Sequence, residues 1–478
     1  MSLAHKSLFE LSELFQKGTV KSREITEACI KEIESHEKNI HAFVTQTFDL
    51  AREMADASDA RKKNKSLKSP LDGLPFTLKD VVCTHGIRTT ASSNILKDFI
   101  PPYDATVWKK LKNAGVVLLG KMNTDEFTMG VSTETSAFGV TKNPHDLTRV
   151  PGGSSGGSAA AIAAHFCAGS IGTDTGGSIR QPAHFCGITG LKVSYGRVSR
   201  YGVIPMASSL DTIGPLAKTP QDCAMILQVI AGQDPKDSTT SPHPVPNYMD
   251  EISESIENLT IGIPKEYFSS GIDADTMKLF ESAKAIFLDL GIKIKEVSLP
   301  HTKYAIPAYY IIAPAEISAN MARYDGIRFG SGIHSNTLDD IYFQTREEGL
   351  GDETKRRIMT GIHVLSAGYT DQFYLQAQKV RTIIKEEFEQ VFQDVDVLFA
   401  PVSPSPAFKI GEKIQDPVKM YMEDVLTTPV NLAGICSISV PIGKSEKENL
   451  PIGAQIIGPA FTEERILRVA HAFYQEFL

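Results

Sequence analysis

Apolar and polar residues follow two periods along this chain, and the switches between them outline alternating helices and strands. Ser7-Leu8-Phe9-Glu10 predicts a capping box ahead of an amphipathic helix that stops at Gly18. A second helix is expected from Ser22 through ITEACIKEIESHE, and another over DLAREMADASDARKK after the strand-like AFVTQT. LPFTLKDV alternates as a strand does, and TVWKKLKNAG followed by VVLLGK reads as helix, glycine stop and buried strand. LTIGIP, VDVLFAP, ICSISVPIG and GAQIIGP are further strand candidates. Helical stretches lie among them: DADTMKLFESAKAIFLDLG, YAIPAYYIIAPAEISANMARY, KVRTIIKEEFEQVF and a final TEERILRVAHAFYQEF. Thr462 is the expected cap of that last helix, with Glu463 and Glu464 favouring its first turn. SGGSAAAIAAHFCAG predicts a glycine-rich loop feeding a tightly packed helix, and residues 232–249 predict a long loop. Alternating β and α segments point to an α/β fold around a parallel or mixed sheet.

Composition narrows the function. At about 150 residues per domain, 478 residues allow three domains, though large α/β enzymes often form one. The net charge of −8 argues against binding nucleic acid in the chain's own right. The basic clusters are small: RKKNK at 61–65, expected on a solvated helix face, and KRR at 355–357. Cys29, Cys83, Cys167, Cys186, Cys223 and Cys436 show no CxxC spacing, so neither a metal site nor a redox dithiol is suggested. Scattered thiols fit a reducing cytosol. The N-terminus, MSLAHKSLFELSELF, is too interrupted by charge for a signal peptide, and no run approaches the ~18 apolar residues that span a bilayer. A soluble cytoplasmic protein with no membrane partner is expected.

Several motifs fit only in part. Gly115-VVLL-Gly120-Lys121-Met122 resembles the start of a phosphate-binding loop, but Met122 stands where Ser or Thr must touch magnesium, and VVLL is strand-like. Gly152-Gly153-Ser154-Ser155-Gly156 matches G-x-S-x-G, but turn-like NPHDLTRVP precedes it where a strand is required. His363 and His471 sit in helical patterns, which disfavours an α/β-hydrolase triad. Ser35-His36-Glu37-Lys38 has S-x-x-K spacing at the end of a charged helix, where a solvated face is expected.

Three segments remain. Lys79 lies in an apolar, strand-like run. Burial there would disfavour its ammonium and bring a neutral amine base within reach near pH 7; the competing reading is a strand-end lysine reaching water. The paired glycines of GGSSGGS, 152–158, allow close approach, as a linker or an anion-binding loop would also use. In TDTGGSIRQPA, Gly176 and Gly177 strip side chains away before Ser178. The amides of Thr175, Gly176, Gly177 and Ser178 could then converge as an oxyanion hole; a tight structural turn is the alternative. Arg180 and Asp174 are expected to pair and hold this loop.

GGSSGGS, DTGGSIRQPA and Lys79 in GLPFTLKD together resemble the amidase signature family. The resemblance implies a single large α/β/α domain over 1–478. It has a central mixed β-sheet covered by helices, N-terminal helices (about 1–65) packing on it, and a signature core (about 66–220). It implies Ser178 as the acylating nucleophile, Ser154 as a bridging serine held through a cis peptide bond, and Lys79 as the base. No histidine is then needed, because a neutral amine can draw a proton through one hydroxyl from another.

KVSYGRVSRYGVIPMASSLDTIGP, YYIIAPAEISANMARYDGIRFG, ETKRRIMTG and DVLTTPVNLAGICSISVP resemble the branch of that family formed by the A subunits of glutamyl-tRNA(Gln)/aspartyl-tRNA(Asn) amidotransferases. That resemblance implies a glutaminase within a heterotrimer. A B subunit would bind the charged tRNA and use ATP and Mg²⁺, and a C subunit would brace the pair, leaving this chain no cofactor or metal of its own. By match to the branch, Arg357, Asp424 and Tyr309 would bind glutamine. A surface helix competes as a reading of Arg357, and helix-dipole compensation at the start of DVLTTPVN competes for Asp424. Val193 and His184 depart from the branch pattern beside the site. A stand-alone amidase for small or aliphatic amides is the rival enzyme, and a catalytically dead scaffold the non-enzyme rival.

Overall fold

The computed structural model describes residues 2–268 and 271–477. The N-terminal helix runs Leu8–Lys17, with the reciprocal Ser7–Glu10 capping box and a left-handed Gly18 (φ 78°) at its end. Ser22–Ile40 and Phe48–Lys63 are the next two helices. The basic stretch that closes the latter is not wholly solvated. Arg61 turns inward to the buried Asp72 carboxylate through Nε at 2.9 Å and Nη2 at 2.5 Å, because a buried carboxylate demands a partner.

One eleven-stranded sheet organises the described residues. In chain order its strands are β1 (Phe43–Gln46), β2 (Pro75–Lys79), β3 (Val117–Met122), β4 (Gly169–Asp174), β5 (Thr189–Lys192), β6 (Thr212–Ala217), β7 (Thr260–Pro264), β8 (Lys293–Val297), β9 (Val397–Pro401), β10 (Cys436–Lys444) and β11 (Pro451–Gly458). Their spatial order is β1-β3-β2-β4-β6-β5-β10-β11-β9-β7-β8. The sheet is mixed: β2 runs parallel to both β3 and β4, and β7 parallel to β8 and β9, while the remaining pairs are antiparallel. Side chains alternate between layers as the pleat requires. Val117 and Leu119 enter one apolar cluster with the helix Gly156–Ala163, and Leu118 enters the other with Trp108, Ile226 and Phe473.

Four strands lie outside the patterned candidates. β4 (GSIGTD) and β6 (TIGPLA) are buried along their whole length and glycine- or proline-bearing, so they show no alternation. β5 has four residues, and the edge strand β8 is largely charged, as edges tend to be. Thr462 stands directly before the last helix, Glu463–Phe477, and its carbonyl accepts from the Ile466 N–H at 3.3 Å, while its hydroxyl donates to the Pro459 carbonyl at 2.9 Å.

Two helices crossing outside the sheet carry residues that matter below. Ala305–Met321 contains Pro314, and Asp352–Leu365 packs against it at Gly361. An added Cβ on Gly361 would sit 1.9 Å from the Pro314 carbonyl oxygen, so only glycine permits this crossing. The six cysteines are buried and unpaired with one another. Among the described residues no helix is long and apolar enough to cross a membrane.

Candidate active site

Because β2 and β4 are parallel neighbours, their C-terminal ends lie side by side. This is where open α/β sheets place ligands. Lys79 ends β2, and Thr173 and Asp174 end β4. Lys79 is completely buried, and its Nζ lies 2.7 Å from Ser154 Oγ, 2.9 Å from Ser155 Oγ and 2.9 Å from Thr173 Oγ1. Burial pulls its pKa down to about 7, against the opposing pull of Asp125, Asp174 and Asp211. A neutral amine has two N–H donors and one lone pair. The Ser155 hydroxyl already donates to the Thr173 carbonyl at 3.1 Å, so it accepts from Lys79. With the other N–H directed to Thr173 Oγ1, the lone pair faces Ser154.

Ser154 follows a cis peptide from Gly153. Its loop is anchored by Thr124 Oγ1 donating to the Ser154 carbonyl at 2.6 Å and by the Gly153 N–H donating to Gln181 Oε1 at 2.9 Å. The Ser155 N–H donates to the Ser178 carbonyl at 3.2 Å and ties the two serine loops together. The Ser178 hydroxyl makes no hydrogen bond among the described residues, and Ser178 keeps 8% of its surface exposed. The amides of Thr175 to Ser178 likewise donate to no acceptor among the described residues. A hydroxyl and a row of N–H donors are therefore left without partners among the described residues.

The loop between them is braced on both sides. Asp174 accepts from the Ile179 N–H at 3.1 Å and from Arg180 Nε and Nη2 at 3.2 and 3.1 Å, so the expected pair forms inside the core. Burial pushes Asp174 up, but the Arg180 guanidinium outweighs it and holds the carboxyl down at about 2. Thr175 Oγ1 donates to Asp211 at 2.7 Å.

Tyr309, Arg357 and Asp424 converge from three further elements. An added Cβ on Gly176 would lie 2.8 Å from Tyr309 Oη and 3.4 Å from Asp424 Oδ2, which puts both directly over the Thr175–Ser178 loop. Arg357 is not on a surface face: it is 3% exposed, while its neighbour Lys355 is part-exposed. Its guanidinium packs 5.4 Å from the ring centroids of Tyr310 and Tyr421, which stack 3.8 Å apart, and its Nε donates to Glu353 at 2.8 Å. Asp424 does not open the following helix, which runs Thr428–Ala433; it closes the short 3₁₀ turn Met422–Asp424. Its Oδ1 is buried with no hydrogen-bond partner, and burial pushes its carboxyl up to about 7 despite Arg357. An unpartnered buried carboxylate oxygen marks a place for a cationic group.

Ser155, Thr173, Thr427, Glu353, Tyr310 and Tyr421 touch the site and are not singled out by the sequence reading. Ser155 stands inside GGSSGGS and Thr173 opens TDTGGSIRQPA, while Tyr310, Glu353 and Thr427 lie in the stretches that carry the branch resemblance; Tyr421 lies in none of them. His184 and Val193 are both buried. His184 Nδ1 accepts from the Gly453 N–H at 2.7 Å, Nε2 faces the Ser405 carbonyl, and burial pulls its pKa down to about 4. Lys121 of the apparent phosphate loop is a buried strand residue bonded to the Val82 carbonyl and Thr89. Among the described residues no cluster of three or more His, Cys, Asp or Glu could hold a metal ion.

Known proteins similar to this chain give its class. The family described as Amidase matches residues 24–467, and the chain belongs to that family of α/β enzymes. Within it, the chain is 52% identical over 476 residues to the A subunit of glutamyl-tRNA(Gln) amidotransferase from Geotalea daltonii, a match covering 99% of this chain and 98% of its relative. Among solved structures it is similar to the A subunit of glutamyl-tRNA(Gln) amidotransferase from Thermotoga maritima (TM-score 0.82, 39% identity, 99% and 95% of the two chains). It also resembles the peptide amidase of Stenotrophomonas maltophilia (TM-score 0.83, 27% identity, 99% and 97%).

Proposed function

We propose that this chain is the glutaminase component of a tRNA-dependent amidotransferase, releasing ammonia from glutamine for a partner subunit. The observation that carries the chemistry is Lys79 Nζ at 2.7 Å from Ser154 Oγ in full burial, with its other contacts leaving a lone pair for that hydroxyl. Neutral Lys79 takes a proton from Ser154 as Ser154 takes one from Ser178, and Ser178 Oγ attacks the γ-carboxamide carbon. The oxyanion forms against the amides of Thr175, Gly176, Gly177 and Ser178. Collapse breaks the C–N bond, and the relay run backward protonates the departing nitrogen as ammonia. Water, deprotonated through the same relay, then cleaves the acyl–Ser178 ester and frees glutamate.

The choice of glutamine rests on paired charges. Arg357, engaged only through Nε, offers its terminal nitrogens to the α-carboxylate. Asp424 Oδ1 takes the α-ammonium, and Tyr309 lines the pocket. Near-full-length identity to the A subunit from Geotalea daltonii supports the assembly. In that assembly the B subunit binds charged tRNA and uses ATP and Mg²⁺, the C subunit braces the pair, and the setting is cytoplasmic. The test supplies the assembled complex with amide-¹⁵N glutamine and mischarged tRNA. Label in the aminoacyl amide, with a glutamyl adduct on Ser178 by mass spectrometry, is the expected result. Full turnover of diverse small amides by this chain alone would instead make it a stand-alone amidase, and no adduct in the assembled complex would make it a scaffold.

A further inference from the structure

The Gly176–Gly177 peptide faces two ways. Its carbonyl oxygen accepts from Thr427 Oγ1 at 2.6 Å and from Thr428 Oγ1 at 3.4 Å. The amide of a trans peptide lies in the same rigid plane and points the opposite way. Whatever fixes the carbonyl therefore aims the Gly177 N–H. An added Cβ on Gly177 (φ 153°) would lie 2.3 Å from Thr427 Oγ1 and 3.1 Å from Asp424 Oδ1, so this close approach requires glycine.

Thr427 also closes a tight turn with Asp424. Its N–H donates to the Asp424 carbonyl at 3.2 Å, and its hydroxyl, also 3.2 Å from that carbonyl, gives its single proton to the nearer Gly176 oxygen. From behind, the Thr427 carbonyl accepts from Arg180 Nη2 at 3.1 Å, and Asn431 Nδ2 donates to Asp174 at 2.8 Å. One turn of chain thus holds the unpartnered Asp424 carboxylate oxygen at one end and the oxyanion peptide at the other.

We propose that Thr427 is a positioning residue that couples substrate capture to the oxyanion hole. Its hydroxyl pins the Gly176 carbonyl so that the Gly177 N–H meets the developing oxyanion, and an ammonium held at Asp424 steadies that pin. The proposal rests on the glutaminase reading, with Asp424 as the α-ammonium partner. It places part of the discrimination for an α-amino amide in kcat as well as in binding.

The test compares Thr427→Val and Thr427→Ser in the assembled complex, with glutamine and with glutaramate, which lacks the α-amino group. The expected result for Thr427→Val is a kcat on glutamine lower by roughly 10- to 100-fold, short of the loss from deleting an oxyanion donor outright, with KM within about threefold. Thr427→Ser, which keeps the hydroxyl, should restore kcat to within about twofold. The kcat advantage of glutamine over glutaramate should shrink in Thr427→Val. Unchanged kcat in Thr427→Val, a change confined to KM, or an undiminished glutamine-to-glutaramate kcat ratio would each overturn the proposal. If Thr427→Val does not fold, Thr427→Ala removes the same hydroxyl without bulk and is read the same way. A wild-type complex that does not hydrolyse glutamine defeats the functional reading itself; an active wild type with an unaffected Thr427→Val defeats only this coupling.

Discussion

The site draws on two regions built on opposite plans. The chemical half comes from β2, β4 and the two serine loops. It is buried except for a small exposed part of Ser178, its lysine is tied by short polar contacts, and the side chains around that lysine are Ser and Thr. The substrate half comes from residues 305–431. It sits on crossing helices and a turn, held by stacked rings around one guanidinium and ending in a carboxylate oxygen with no partner. The first half engages its lysine fully but leaves the Ser178 hydroxyl and the amides of residues 175–178 without partners among the described residues, and the second leaves one carboxylate oxygen waiting. In physical terms, a buried amine must be held by its neighbours, while the groups that meet a substrate leave their strongest interactions unmade until it arrives.

Breaking the chemical half should have the largest effect. Ser178→Ala removes the attacking oxygen and Lys79→Met the base; each should lower glutaminase kcat by on the order of 10³-fold or more without raising KM comparably, as steady-state kinetics would reveal. Equal losses in the double variant would show the two acting as one unit.

The same lysine predicts pH behaviour. With Lys79 as the proposed neutral amine base, kcat/KM should rise with pH through about 7 and then level. Asp424 pushes the same way, because it must ionise, also near 7, to hold an ammonium. Stability carries a separate signature. The unfolded lysine, with a pKa of about 10.4, binds a proton between that value and the folded value of about 7, so wild-type stability should rise with pH across this window. Lys79→Met lacks that penalty. Its stability relative to wild type, from denaturant titrations, should be greatest at or below pH 7 and decline towards pH 10. A difference independent of pH would mean that Lys79 titrates normally.

Next comes the substrate half. Arg357→Lys keeps the charge but loses the planar fork, so KM for glutamine should rise about 10- to 100-fold with kcat nearly unchanged. A matching fall in kcat would erase the distinction between the halves. Gly361→Ala tests the scaffold beneath: overpacking against the Pro314 carbonyl should cost about 1–3 kcal/mol in denaturant unfolding. The exposed Lys278–Glu446 pair touches neither region, and Lys278→Ala should leave melting temperature and turnover where they were.

The halves also differ in how far they can be read from sequence. Lys79 stands in an apolar, strand-like run and Ser154 and Ser178 in glycine-paired segments, which draw attention locally although their roles come from the family resemblance; in the structure Lys79 Nζ lies 2.7 Å from Ser154 Oγ. Tyr309, Arg357 and Asp424 are reached only through likeness to a branch of the family. Arg357 shares its local charge pattern with solvated helices, and its burial depends on Tyr310 and Tyr421, more than forty positions away on either side. Asp424 reads as a helix start because charge near DVLTTPVN looks like dipole compensation; a 3₁₀ turn intervenes. Local patterning finds the capping box at Ser7 but not β4, since a strand covered on both faces leaves no alternation to detect.

The buried thiols have a practical corollary. Burial pushes the pKa of every one of the six upward, so none offers a ready thiolate to an electrophile in bulk solvent. The exterior is therefore a blank background for maleimide chemistry. A single cysteine introduced anywhere on it becomes a unique handle for a fluorophore or a cross-linker, and footprints taken that way can chart which faces another protein covers.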